Sequence, residues 1–136
     1  LQEHEEVNAS EASPTTECTA RENFVAGVLI WCRAHSIVGG HRPEEGREIR
    51  SYFEEALQLF LEAHAEYMAA FGLDNSETIK AITMIAASYR KLDNKTESLA
   101  WTEREVSMRE RVHGSAIPRT QLARKTLNDL RVSMAI

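Results

Sequence analysis

Two dipeptides, Phe71-Gly72 and His113-Gly114, stand 42 residues apart, and the chain around them repeats at that spacing. At the same offset Glu55 pairs with Glu97, Ala56 with Ser98, Leu57 with Leu99, Thr78 with Thr120, Ala81 with Ala123 and Ile85 with Leu127. Each unit reads as a long helix, a glycine, a short polar turn and a second amphipathic helix. One helix pair cannot bury its apolar stripe alone, so pairs of fixed period stack side by side. The expected fold is therefore all-α, built from antiparallel helical hairpins. Composition agrees. Six glycines and three prolines in 136 residues leave little punctuation for a many-stranded β fold, while the abundant Ala, Leu, Glu, Arg and Met cost least in a helix.

Residues 1–18 are rich in Glu, Ser, Thr and Asn and read as a polar, disordered lead-in; residues 19–136 read as the helical-repeat domain. From about Thr19, Phe24, Val28, Trp31, Cys32 and His35 recur every three or four residues, and Gly39-Gly40 ends the segment. Pro43 suits the first turn of the next helix, with Glu44-Glu45 at the positive end of its dipole. The stripe from Ile49 through Phe53, Leu57, Phe60 and Tyr67 predicts one helix over Pro43–Phe71, closed by Gly72. Leu59 and Leu61 lie off that stripe and predict a second covered face. Asn75 or Ser76 is available to cap a helix over 77–92, and Asn94 with Glu97 reads as a capping pair for a helix over 95–113. Pro118 opens a fifth helix whose stripe is Ala123, Leu127, Leu130 and Met134. Phe60, Ile85 and Leu99 are expected at helix–helix contacts, and Trp31 and Trp101 as core.

With Glu54-Glu55-Ala56, Phe60, Ala63 and Gly72, then Ile82, Ile85-Ala86 and Tyr89, the chain resembles the 42-residue tetratricopeptide repeat (TPR) of the kinesin-light-chain type. The unit recurs as Glu97-Ser98-Leu99, 108–112, Gly114, Pro118 and Thr120. A degenerate earlier copy is carried by Val28, Trp31-Cys32, His35 and Gly39. The chain departs from the pattern at Asp93, where the family usually has Gly, at Ser76, where Pro is frequent, and at Arg131, where Tyr is common. The resemblance implies about five helices stacked as a short superhelix that serves as a protein–protein interaction scaffold or adaptor. Its first helices would line a concave groove for a peptide or helical segment. Groove positions would then be Leu29, Arg33 and Ile37, followed by Lys80, Thr83, Ala87, Arg90 and Lys91, with Lys125 and Asp129 from the last helix. Half of those ten are cationic in a chain of net charge −5, which points to an acidic partner.

Other classes find little support. An acidic chain without a run of Lys and Arg lacks the footprint that nucleic acid requires. The longest apolar stretch, near residues 25–31, falls far short of the ~20 residues that span a bilayer. Residues 1–13 do not read as a signal peptide, and the start at Leu1 leads us to expect a piece of a longer chain. Two cysteines, Cys18 and Cys32, fit a reducing compartment, so a cytoplasmic location is expected. The sequons at Asn8 and Asn94 are then chance matches. Cys32, His35 and His41 have zinc-binding chemistry, but a structural site needs a fourth ligand, and only Cys18 from the lead-in would supply it. No cysteine, serine or histidine pattern assembles a nucleophile with its base, and no loop cradles phosphate. Neither catalysis nor a cofactor is expected. Two rivals stand: a purely structural or self-associating helical domain, or an accessory domain of a larger enzyme such as a SET/MYND-type methyltransferase.

Overall fold

The computed structural model describes residues 14–36 and 43–135, with side chains from Thr19 in the first segment and from Gly46 in the second. Five helices make up these residues: α1 (Pro14–Ser36), α2 (Pro43–Phe71), α3 (Ser76–Lys91), α4 (Lys95–Val112) and α5 (Pro118–Ala135). No strand occurs among the described residues. The fold is all-α. α1 begins at Pro14, five residues before the expected start. Residues 1–13, the Gly39-Gly40 stop, Ile37 and His41 lie outside the described residues.

The helix ends follow from local chemistry. Pro43 and Pro118 open α2 and α5, where a missing N–H costs nothing. Gly72 and Gly114 take φ values of 77° and 92°, the left-handed region that ends a helix without a Cβ clash. The Asn75 side chain accepts the Glu77 N–H at 2.8 Å and caps α3. Asp93 adopts φ 58°, so the left-handed turn that ends α3 is made by a residue other than glycine. The Asp93 N–H donates to the Arg90 carbonyl and the Asn94 N–H to the Tyr89 carbonyl, the paired bonds of a Schellman closure. The Asn94 side chain in turn accepts the Glu97 N–H at 3.2 Å and starts α4. Its own N–H being spent on Tyr89, only one half of the expected reciprocal capping pair forms.

Each helix packs on its neighbours in the chain. Contacts at both ends make the neighbours antiparallel: Asn23 donates to Glu66 while Trp31 meets Phe53, and Ser98 donates to the Ala86 carbonyl while Arg111 reaches Asp74. α1, α3 and α5 form one layer, and α2 and α4 the other. Gly27 permits a close approach of α1 to α2: a Cβ there would stand 2.7 Å from the Phe60 ring. Phe60 is fully buried and leans on Phe24 at 5.7 Å between centroids. Burial of a side chain that size contributes about 3 kcal/mol. Ile85 is also fully buried, and Leu99 packs on Val106, Ala123 and Leu127. Trp101 is buried, Trp31 packs against the core, and Leu59 and Leu61 are half-covered.

Burial follows the 42-residue offset as well. Ala56 and Ser98 are both fully buried, as are Thr78 and Thr120, and Ala81 and Ile85 match buried Ala123 and Leu127. Glu55 and Glu97 are both exposed. α5 packs on α4 through a narrow inward stripe, Thr120, Ala123 and Leu127. Among the described residues no helix is long and apolar enough to cross a membrane.

Candidate binding cleft between α3 and α5

α3 turns Ile79, Ile82, Ile85 and Ala86 inward. At a period of 3.6 residues this leaves Lys80, Thr83, Ala87, Arg90 and Lys91 as its outward stripe. Lys80, Arg90 and Lys91 are exposed, and Thr83 and Ala87 half-buried. Five of the seven expected site residues therefore share one helix face. Thr83 and Arg90 form one wall of a cleft of about 240 Å³, and Arg119, Leu122 and Thr126 of α5 form the other. A second hollow of about 330 Å³ continues it along Lys80 and His113, sharing Arg109 and Arg119.

The floor of the cleft is charged. Glu105 and Arg109 of α4 lie beneath it, each buried. Arg109 Nε donates to Glu105 Oε2 at 2.8 Å, and Arg109 Nη2 donates to Thr83 Oγ1 at 2.9 Å. The Thr83 hydroxyl lies 3.0 Å from both the Ile79 carbonyl and Glu105 Oε2, and its one proton serves one of them. Thr83 is thus part of the floor's network, held in place by two charged groups. Burial pulls the Arg90 pKa below its ordinary value, and the charge of Glu105 opposes that pull. A guanidinium in this setting stays protonated at neutral pH.

Elsewhere the expected grouping breaks up. Lys80 sits 3.3 Å from Glu77 on its own helix. Lys91 stands close enough to His35 of α1 to help lower that imidazole's pKa, after the larger effect of burial. Arg33 does not reach the cleft: its guanidinium lies 5.4 Å from the Tyr52 ring centroid, against α2. Lys125 is also apart, exposed on α5 and paired with Asp129 at 3.1 Å. Its helix turns Arg119, Leu122 and Thr126 toward the cleft instead.

Arg119, Glu105 and Arg109 are cleft residues that the sequence reading missed. The repeat itself carried a signal for two of them. The 42-residue offset sets Glu105 on Ala63 and Arg109 on Tyr67, both buried positions of α2. Charges spaced i, i+4 on a buried stripe mark an internal ion pair.

Of the other candidate chemistry, the His35 ring packs 5.0 Å from Trp31 and 5.6 Å from Phe53. Cys32 is exposed, and His41 and the Cys18 side chain lie outside the described residues. Among the described residues no three His, Cys, Asp or Glu side chains cluster as a metal site. A cavity of about 520 Å³ opens on the other layer between α2 and α4, and none of the expected site residues lines it.

No family model, no curated protein and no solved structure matches the chain, and the functional reading rests on the geometry above.

Proposed function

We propose that the chain is a tetratricopeptide-like scaffold, a binding rather than a catalytic module, that holds an acidic segment of another protein in the cleft between α3 and α5. One observation carries the reading: the stripe Lys80, Thr83, Ala87, Arg90 and Lys91 lies on a single open face of α3, and Arg119 joins it from α5. Among the described residues neither Lys91 nor Arg119 is engaged in an ion pair. Cations along this face of α3 and at the rim of a shallow cleft, in a chain of net charge −5, favour a carboxylate-bearing partner and set its register. The 42-residue period, the small residues Ala56 and Ala86 at helix contacts and the left-handed turns at Gly72, Asp93 and Gly114 support the repeat assignment. A reducing, cytoplasmic setting fits the two cysteines.

The test is charge reversal. Arg90→Glu with Lys91→Glu weakens capture of an acidic peptide by about tenfold or more, and helicity stays unchanged. Added salt weakens the wild-type complex too, as the screening length shrinks to about 8 Å near physiological strength. Binding indifferent to both salt and reversal rejects the acidic-segment reading.

A further inference from the structure

The cavity on the other layer has a different character. His64 and Met68 of α2 and Met108 of α4 wall it, Leu73 of the turn flanks it, and buried Ile82 of α3 forms its floor. At about 520 Å³ it falls within the ~300–1,000 Å³ usual for small-ligand sites. Apart from the His64 ring its apolar lining is aliphatic and thioether, and Glu103, Arg104, Ser107 and Arg111 form a polar rim. Methionine side chains are unbranched and re-shape around what they contact, which suits a flexible chain better than a flat ring.

The rim supplies a cation. The Arg104 guanidinium stands 4.4 Å from the Trp101 ring centroid, and Trp101 meets His64 edge to face at 5.0 Å. Stacking uses the face of a guanidinium and leaves its in-plane N–H donors directed outward, the fork that grips a carboxylate with two parallel bonds. The other rim charges are engaged. Arg111 donates to Asp74 at 3.0 Å and to Ser107 at 3.1 Å, and Glu103 accepts from Arg131 at 3.4 Å. Arg104 makes no ion pair with any described residue. Burial, and then Arg104, lower the His64 pKa, so that imidazole is neutral at neutral pH and adds no second cation.

We infer that the cleft between α2 and α4 binds a medium-chain aliphatic carboxylate, its chain against Met68, Leu73, Ile82 and Met108 and its head group on Arg104. The site lies on the layer opposite the α3–α5 cleft and does not depend on that cleft's partner.

The experiment uses the whole chain, with decanoate added below its micellar concentration and binding read by calorimetry and amide chemical shifts. Decanoate binds one to one and shifts amides of α2, α4 and the 72–75 turn. Octanoate, two methylenes shorter, binds about fifteenfold more weakly, because each buried methylene is worth roughly fourfold in affinity. Decanol, which lacks the charge, and Arg104→Gln with decanoate each lose about tenfold or more. A second variant, Ser107→Trp, places an indole at the rim and blocks binding with the Arg104 charge retained. Equal binding of decanol and decanoate overturns the inference. So does an unaffected Arg104→Gln protein, or shifts confined to α3 and α5.

Discussion

Arg109 Nε lies 2.8 Å from Glu105 Oε2, and the two side chains keep less than a tenth of their surface in solvent. One repeat earlier the same slots hold Ala63 and Tyr67, also buried. The chain has thus placed an ion pair where its own repeat is apolar. Removing one partner leaves a buried charge unmatched and costs about 3–5 kcal/mol, while replacing both with apolar residues is near neutral or stabilising. Glu105→Leu is therefore expected to lower stability by about that amount in urea unfolding. Glu105→Leu with Arg109→Met recovers most of it. An additive double variant rejects the coupling.

Gly27 against Phe60 gives a second expectation. Alanine is worth about 1 kcal/mol over glycine inside a helix. Here its methyl would enter the Phe60 ring, which Phe24 supports from the side. Overpacking of this kind costs about 1–3 kcal/mol, so Gly27→Ala lowers stability despite the better propensity. Adding Phe60→Leu makes room and restores part of the loss. A more stable Gly27→Ala protein shows that α1 and α2 separate freely.

At Asp93 the sign reverses. A side chain in the left-handed region costs about 1–2 kcal/mol, partly offset by the entropy glycine brings to the unfolded chain. Asp93→Gly is expected to raise stability by about 0.5–1 kcal/mol, and Asp93→Val to lower it. Thermal melts of the two variants check the ordering.

Stability depends on pH through His64. Its pKa is lowered from the ordinary 6.5, first by burial and then by Arg104. The unfolded chain then binds more protons than the folded one once pH falls to about 6.5. Stability is full above that value, declines as pH drops through it, and levels off below the lowered folded pKa. His64→Phe keeps the ring against Trp101 and removes this slope. Urea titrations at about pH 7.5 and pH 5.5 read the difference. An unchanged slope in the variant assigns it elsewhere, with His35 the next group to replace.

Helix ends were legible in the sequence because they rest on local chemistry. Pro43, Gly72, Asn75 and Asn94 each act within a few residues of themselves. The faces of α2 and α3 were legible for a related reason: Phe53, Phe60, Ile82 and Ile85 are apolar wherever they are buried. α4 was legible in part. Trp101, read as core, is buried, but the polar Ser98, Thr102, Glu105 and Arg109 are buried as well. Patterning by hydrophobicity assigns those four to solvent. Arg33 was misplaced because α1 packs mainly on α2 among the described residues, so periodicity leaves its open faces undistinguished. Arg119 was missed because cationic residues follow one another closely along α5, and only tertiary packing selects which one faces α3.

Asn94 serves two helices at once. Its N–H completes the closure of α3 on Tyr89, and its side chain opens α4 on Glu97. Fraying at the end of α3 pulls on the first turn of α4, and the reverse. Local opening in this part of the molecule therefore involves both helix ends together, and their amides should exchange with solvent at a common free energy. The corner between α3 and α4 acts as a single cooperative unit, and the charged face of α3 keeps a fixed bearing on the Glu105–Arg109 floor for as long as that corner stays closed.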